Sequence, residues 1–265
     1  MRKAAAIFLG MAFTCSALAS ERHVSFVACP IMRDTADVSC WLAEHEGQLY
    51  YLTKSEDLGA RVLPPQLKHR VLVEGVVANG PQICGGNVLE PVHLSVLPEL
   101  DLSCSTILPA DGHYVPANRY PGPSDPPARQ RAVAEAAEIA RLRSEPAPAA
   151  SRDENEFVID FTFDSDFLYG RTYRLIVAAA QRAKSTTASR IEVIGYRASS
   201  RLSNGQTIVE REGTAAARAR RVAEVLRDAG EIDAKQLQVS WDEVPVPGNG
   251  IDDPSRRRVI VRVHR

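Results

Sequence analysis

The chain has no cysteine after residue 104, few aromatic side chains, and no long apolar run beyond its first twenty residues. It contains no Gly-x-Ser-x-Gly, His-Glu-x-x-His or P-loop pattern, which excludes the commonest motifs of hydrolases, metalloproteases and nucleotide-binding enzymes. Its six histidines are scattered along the sequence. We therefore expect a protein with no catalytic activity, no cofactor and no bound metal.

The beginning of the chain predicts export. A basic pair, Arg2-Lys3, precedes a short apolar segment at 4–13, and a small-residue cleavage pattern ends at Ala19. The segment is shorter than the roughly twenty apolar residues that span a bilayer. We expect a cleaved signal peptide over 1–19 and a periplasmic protein, peripheral to the outer membrane, with no transmembrane segment.

Four cysteines remain after that cleavage, and all lie in the first part of the chain: Cys29, Cys40, Cys84 and Cys104. An even number of cysteines in an exported chain predicts two disulfides, and all three pairings stay open. Zinc is the alternative, with Cys40 and His45 as ligands, but the Cys-x-x-Cys spacing of zinc sites is absent. Cys15, in the leader, lacks the preceding residues of a lipoprotein signal, so we expect no lipid anchor.

The charge balance excludes two classes of partner. The chain has 32 basic and 33 acidic residues, and the leader contains two of the basic ones, which leaves 30 minus 33, or −3. Proteins that attract nucleic acid or anionic membranes by their overall charge are far more basic than this.

Residues 21–108 predict a small all-β domain. Strand-like stretches recur about every ten residues, and the clearest is the valine-rich segment 69–78, which the turn dipeptide Asn79-Gly80 closes. A hairpin through Glu46-Gly47 is a second signal. We expect an OB-like barrel held by disulfides, which engages another envelope component.

Residues 109–153 predict a linker. Prolines are concentrated toward both ends of this stretch, while alanine, arginine and glutamate fill 128–144. Such a composition cannot bury a core, although 128–144 can form a short exposed helix. We therefore expect the flanking domains to be independent units.

Residues 154–265 predict an α+β domain with the order strand, helix, strand, helix, strand, strand. The six elements span 157–163, 169–183, 190–196, 214–229, 237–244 and 257–264. This order requires a mixed sheet with both helices packed on one face, and right-handed crossovers between parallel strands.

Four short stretches of this domain carry a recognisable pattern. They are Phe161-Thr162-Phe163-Asp164, Val193-Ile194-Gly195-Tyr196, Arg218-Ala219 within the helix that starts near Thr214, and Arg257-Arg258-Val259. In this order and spacing they resemble the OmpA-like domain of outer-membrane and peptidoglycan-associated proteins, over about 156–263. The resemblance implies an envelope protein that binds the diaminopimelate of the peptidoglycan stem peptide.

The resemblance also implies site residues. The family binds the ligand's ammonium with an aspartate and its carboxylate with a helix arginine, because charge-assisted hydrogen bonds of this kind are strong and directional. Carried over by position, Arg218 is the carboxylate partner, and Arg258 is a second basic contact or a structural residue.

The pattern breaks where the ammonium would bind. Arg197-Ala198 stands where the family has Thr-Asp, and Arg211 and Arg256 stand where it has asparagines. Two interpretations stay open. Either Glu210 or Glu212 replaces the missing aspartate and peptidoglycan binding survives, or these arginines and the two named above form a cationic pocket for an anionic ligand or another envelope protein.

Overall fold

The computed structural model describes residues 21–35, 38–55, 64–110, 112 and 154–265. The predicted signal peptide and nearly all of the predicted linker lie outside these residues. None of the helices in the described part of the chain is both long and apolar enough to cross a membrane.

The first domain consists of strands that pair into a closed circuit. They are β1 (His23–Ala28), β2 (Pro30–Arg33), β3 (Cys40–His45), β4 (Gln48–Lys54), β5 (His69–Val77), β6 (Asn87–Leu100) and the short β7 (Ile107–Leu108). The strands pair in the order β1-β5-β6-β4-β3-β2, with β7 beside β2. Because Cys29 alone separates β1 from β2, the strands at the two ends of this pairing order follow each other directly in the chain, and the sheet closes on itself. This agrees with a small barrel, and its assignment to the OB class stays a prediction.

Apolar side chains from opposite sides of this circuit form one core. Phe26 of β1, Trp41 of β3 and Val71 of β5 belong to the same buried cluster. The hairpin between β3 and β4 turns at Glu46-Gly47, as predicted, with both residues at positive φ.

Two disulfides join parts of the first domain that are far apart in sequence, as the cysteine count predicts. Cys29 pairs with Cys104, and Cys40 pairs with Cys84. The zinc interpretation is wrong for Cys40, because its sulfur is bonded to that of Cys84. In the described residues the only cluster of metal-type ligands is Cys29, Asp101 and Cys104, and both of its thiols are used in a disulfide.

The second domain contains the predicted elements in the predicted order, with three short additions: a strand, a four-residue helix and the 3₁₀ helix Ala234–Gln236. Its elements are β8 (Glu156–Asp160), α1 (Gly170–Ser185), β9 (Arg190–Arg201), β10 (Thr207–Val209), α2 (Thr214–Asp228), β11 (Leu237–Val246), α3 (Asp253–Arg256) and β12 (Arg258–His264). β12 lies between β8 and β9 and is antiparallel to both, while β11 pairs parallel with β9. The sheet is therefore mixed, as the element order requires.

Both long helices pack on the same face of this sheet. Leu175 and Ile176 of α1 and Val222 of α2 share a buried cluster with Val193 and Val261 of the strands. Buried positions recur at intervals of three or four in both helices, which places them on one side of each: Ile176, Ala179 and Ala183 in α1, and Ala219, Val222 and Leu226 in α2.

Gly195 permits the close approach of α2 to β9. A Cβ atom at that position would lie 2.2 Å from the carbonyl oxygen of Ala215 and 3.0 Å from the side chain of Ala219. Only glycine fits this contact, which sets the depth at which α2 lies on the sheet.

The two domains form one continuous packed unit, which contradicts the expectation of independent units. The guanidinium of Arg257, directly before β12, forms a buried salt bridge with Glu74 of β5. Ser200 of β9 joins the pair by accepting from Arg257 at 2.9 Å and donating to Glu74 at 3.0 Å. The composition of the linker does not predict whether the two domains touch, because the contacts are made by residues inside the domains.

Further contacts extend the same interface. The Phe163 N–H donates to the Ser95 hydroxyl at 2.9 Å, and the backbones of Ser25 and Ser203 are joined by a 2.7 Å hydrogen bond. Leu72 of the first domain shares a buried cluster with Phe163 and with Leu202 of the second. The interface therefore has an apolar centre as well as polar contacts.

Candidate functional site

Arg218 is the residue that the resemblance assigns to a ligand carboxylate, and its side chain is completely buried. It lies in the N-terminal half of α2, on the side of the helix that faces the sheet. Its guanidinium carbon lies 5.2 Å from the centre of the Phe161 ring, within the range of a cation–π contact.

All five N–H donors of the Arg218 guanidinium have acceptors within the chain. Nε donates to the Ser165 carbonyl at 2.8 Å. Nη1 donates to the Tyr196 carbonyl at 3.0 Å and to Glu210 Oε2 at 2.9 Å. Nη2 donates to the Thr162 carbonyl at 2.9 Å and to Glu210 Oε1. Since an arginine has five such donors, none is left for an external carboxylate.

Glu210 lies opposite Arg218 across the loop and is equally buried. Besides the two bonds from Arg218, its Oε1 accepts from the backbone N–H of Asp164 at 2.9 Å. Its Oε2 accepts from the backbone N–H of Ala198 at 2.7 Å. Each carboxylate oxygen thus has two donors, one charged and one from the backbone. The arrangement is a carboxylate-binding site whose occupant is a side chain of the same protein.

Ala198 stands where the family's aspartate is expected, and it contributes a backbone donor to this site. Its side chain is completely buried. Because the backbone nitrogen of Ala198 lies 2.7 Å from a carboxylate oxygen of Glu210, an aspartate here would bury a second carboxylate close to that of Glu210, and two buried like charges repel each other strongly. The absence of the aspartate and the presence of Glu210 are therefore structurally linked.

The N-terminus of α2 is a second place where an anion would be expected to bind. Glu243 of β11 occupies it, since its carboxylate accepts from the backbone N–H groups of Gly213 and Ala216, each at 3.2 Å. The helix starts at Thr214, where the sequence places its beginning, and its cap residue, Gly213, has no side-chain capping bond. Glu243 supplies from another element the acceptor that a capping side chain would provide.

Arg197 pairs with the same Glu243. Its Nε lies 3.3 Å from the Glu243 carboxylate and donates to the Glu243 carbonyl at 2.6 Å. A further N–H of Arg197 donates to the Glu210 carbonyl oxygen. Arg197 therefore holds the backbone at Glu210 and at Glu243, and it is only 9% exposed.

Arg211 is a surface residue that pairs with Asp164. Its Nε lies 3.4 Å from the Asp164 carboxylate, and its backbone N–H donates to the same carboxylate at 2.6 Å. Desolvation, together with the negative charges of Glu210 and Glu99, raises the pKa of Asp164 in spite of the hydrogen bond and the charge of Arg211. Asp164 thus links the segment between β8 and α1 to the loop between β10 and α2, which holds both Glu210 and Arg211.

The remaining predicted residues lie outside this cluster. Arg258 lies on β12 in register with Asp160 of β8, and no described residue forms a hydrogen bond with its side chain. Glu212 is exposed and has no hydrogen-bond or ion-pair partner among the residues described. Arg256 donates to the Pro247 carbonyl oxygen.

The arginines do not together form an open cationic pocket in the structure. Arg197, Arg211 and Arg218 each face a carboxylate of the chain. The positive charge that the sequence concentrates here is neutralised within the domain.

Two residues of the site escaped the sequence prediction. Glu243 lies in β11, 30 positions beyond the glycine that it contacts, and nothing in its local pattern marks a capping role. Arg257 was read as part of a basic motif, but its partner Glu74 is 183 positions away in the other domain. Such pairings depend on tertiary contacts that local sequence patterns do not encode.

Solved structures that resemble this chain include two with low sequence identity. The OmpA-like domain of FopA1 from Francisella tularensis subsp. tularensis SCHU S4 is 17% identical, covers 43% of this chain and 79% of that chain, and has a TM-score of 0.32. A putative MotB-like protein from Desulfovibrio vulgaris is 15% identical, covers 51% of this chain and 95% of that chain, and has a TM-score of 0.35. No protein-family model and no curated protein matches the chain.

Proposed function

We propose that this chain is a non-catalytic, periplasmic cell-envelope protein that works as an adaptor through contacts with other envelope proteins. In this proposal its second domain is of the OmpA-like type but does not bind diaminopimelate at Arg218. One observation carries the proposal: Glu210 and three backbone carbonyls already use all five donors of the Arg218 guanidinium.

The free energy needed to displace Glu210 favours the adaptor function over peptidoglycan binding at Arg218. A ligand carboxylate could reach Arg218 only by expelling the Glu210 carboxylate from its buried site. Separating a buried ion pair costs about 3–5 kcal/mol. Binding at about millimolar affinity releases only ~4 kcal/mol, so this cost would cancel most of it.

The acidic half of the family's binding pair is also missing. Ala198 offers no side-chain acceptor for an ammonium, and its N–H is bound to Glu210. Glu212 is the other candidate acceptor, and it is an exposed side chain outside the cluster. The peptidoglycan-binding alternative therefore needs both a rearranged Glu210 and a new ammonium partner.

The joined domains suit an adaptor. The buried Glu74–Arg257 pair holds the first domain against the sheet of the second, so surfaces of both are presented in a fixed relation. The disulfides of the first domain, together with the predicted signal peptide, agree with an oxidising compartment such as the periplasm.

Two measurements on the mature full-length protein test the proposal: co-sedimentation with purified peptidoglycan sacculi, and calorimetric titration with diaminopimelate-containing muropeptide. We expect no co-sedimentation above that of an unrelated periplasmic protein and no saturable heat of binding. Saturable muropeptide binding that Arg218→Lys removes and Arg221→Lys, at an exposed position of the same helix, leaves intact would establish wall binding and refute the adaptor proposal.

A further inference from the structure

Strand β11 forms a free edge of the second domain's sheet. It pairs parallel with β9 on one side, and no strand of the described residues pairs with it on the other. Residues 238–242 of this strand are exposed. In a parallel pair each strand directs the backbone groups of alternate residues toward its neighbour, so the remaining N–H and C=O groups of β11 point away from the sheet. This edge can therefore pair with one more strand.

The features that usually protect a free edge lie only at the C-terminal end of β11. Pro245 and the register shift between Asp242 and Val246 interrupt regular strand pairing there, and Asp242 adds a charge. The preceding stretch, 237–241, contains no charged residue, no proline and no register shift. Uncovered edges of this kind tend to pair with other chains. Residues 237–241 are thus suited to accept an added strand.

One face of this stretch presents apolar side chains to an incoming strand. Every second side chain of a strand points to the same face, and Leu237 packs against the core that the helices cover. Val239 and Trp241 follow it on that face and are 36% and 42% exposed. Tryptophan is among the residues that contribute most to protein interfaces. An apolar side chain of an added strand can pack against this pair.

Arg220 of α2 gives the edge a preference for negative charge. Its guanidinium carbon lies 4.9 Å from the centre of the Trp241 ring, and its side chain is exposed. No described residue forms a hydrogen bond or an ion pair with it, whereas the adjacent Arg221 is paired with Glu224. Unlike the buried Arg218, Arg220 therefore keeps its donors available for an external carboxylate.

These features together select one kind of partner. The outward backbone groups of β11 can be paired by an extended segment, whereas a helix has already used its own backbone groups internally. A second copy of this chain, paired antiparallel through the same edge, would place a second Arg220 on the same face of the joined sheet. It would add another unpaired cation instead of the carboxylate that Arg220 lacks. The charges therefore favour a different chain with acidic side chains.

We propose that the free edge of β11 binds an extended segment of another envelope protein as an added strand. A carboxylate side chain of that segment binds Arg220, and an apolar side chain packs on Val239 and Trp241. This mode of binding rests on the proposed adaptor function, for which it supplies the surface and the chemistry of the partner. It does not use the closed Arg218 cluster.

The probes are synthetic peptides that alternate valine with threonine and in which one central valine is replaced by glutamate, glutamine or lysine. Their binding to the mature full-length protein is measured by NMR titration. We expect saturable shifts centred on residues 237–242 with the glutamate peptide. The glutamine peptide should bind about threefold to fivefold more weakly, as the loss of an exposed ion pair requires, and the lysine peptide more weakly still.

Methylation of the peptide backbone tests whether an added strand forms. Methyl groups on the nitrogens of both edges of the glutamate peptide remove its backbone donors and should abolish binding. Methylation of one edge leaves the other edge able to pair, so at least one of the two peptides modified in this way should still bind. If the fully methylated peptide bound as strongly as the unmodified one, strand addition would be refuted.

Variants of the edge show whether the peptides bind at Arg220. Arg220→Gln should remove the difference in affinity between the glutamate and glutamine peptides, because it removes the cation that distinguishes them. Trp241→Ala should weaken the binding of both. Arg221→Gln is the matched control, since Arg221 is an exposed arginine of the same helix that pairs with Glu224. It should leave the difference unchanged.

Three further results would overturn the inference. The first is the absence of saturable binding of the glutamate peptide, and the second is a preference for glutamate that Arg220→Gln leaves as large as Arg221→Gln does. The third is self-association in sedimentation velocity that Trp241→Ala removes, which would assign the edge to a second copy. None of these results bears on muropeptide binding through Arg218, which alone would refute the adaptor proposal, so the two failures are distinguishable.

Discussion

Replacing Glu210 with alanine should destabilise the protein strongly, because it empties a site with four donors. The change leaves the buried charge of Arg218 without a counter-charge and two of its N–H groups without acceptors. It also removes the acceptor of the backbone N–H groups of Ala198 and Asp164.

The expected loss is about 3–5 kcal/mol of unfolding free energy, the usual cost of removing one partner of a buried ion pair. For a protein of this size each kcal/mol lowers the melting temperature by about 2–4 °C, so the expected decrease is about 6–20 °C. Differential scanning calorimetry and urea denaturation of the mature protein measure the two quantities independently.

Glu212→Ala is the matched control, because it removes a glutamate two residues away that is exposed and has no partner among the described residues. Its effect should stay within about 0.5 kcal/mol. If Glu210→Ala lost no more stability than Glu212→Ala, the buried pair would not hold the site and the reasoning would fail.

Added carboxylate provides a second readout of the same variant. Acetate or formate fits the space of the missing side chain and can accept from the same four donors. We expect it to raise the melting temperature of Glu210→Ala in a saturable way, since a ligand that binds only the folded state stabilises it. It should not do so for the wild type or for Glu212→Ala, and equal effects on all three proteins would show that no such site had been opened.

Three further predictions follow from the contacts. Ala198→Asp should cost several kcal/mol by placing a second carboxylate beside Glu210, and adding Glu210→Gln to it should restore part of the loss; a double-mutant cycle without coupling would contradict this. Glu74→Ala should leave Arg257 buried and unpaired, lower the melting temperature, and separate the melting of the two domains in calorimetry, whereas one unchanged transition would contradict the interface. Reducing the disulfides, whose cysteines are 75 and 44 positions apart, should lower the unfolding free energy by about 4 kcal/mol each in urea denaturation, and an unchanged midpoint would refute this.

The regular elements of the second domain could be predicted because each buries one face against the same core. Helix residues at intervals of three or four and alternating strand residues show this directly, as at Val222 and Leu226 or at Val259 and Val261. The disulfides were predictable as a number, while their pairing depends on how the strands of the first domain close into a circuit.

Sequence periodicity does not predict the structure where residues are buried by segments that are distant in the chain. β9 continues to Arg201 and pairs with β10, although the sequence there is polar. Ser200 is buried against Glu74 and Arg257, and the Ser199 hydroxyl bonds to Val246 and Gly248, at and just after the end of β11. A run of serines and arginines resembles a solvated loop, and its cover lies in distant parts of the chain.

Sequence position singled out two residues that the structure brings together, Arg218 and Glu210, but it did not predict how they pair. It could not show whether that glutamate faces a ligand's ammonium or the arginine itself, because this depends on the path of the loop. The backbone donors of Ala198 and Asp164, which fix the orientation of Glu210, are invisible to side-chain motifs.

The NMR signal of the Arg218 Nε–H group tests the central claim most directly. Because that hydrogen is buried and bonded to the Ser165 carbonyl, it should exchange slowly with water, and its chemical shift should not change when diaminopimelate-containing muropeptide is added. A saturable change of this signal on addition of muropeptide would show that Arg218 is available to a ligand, which would contradict the account.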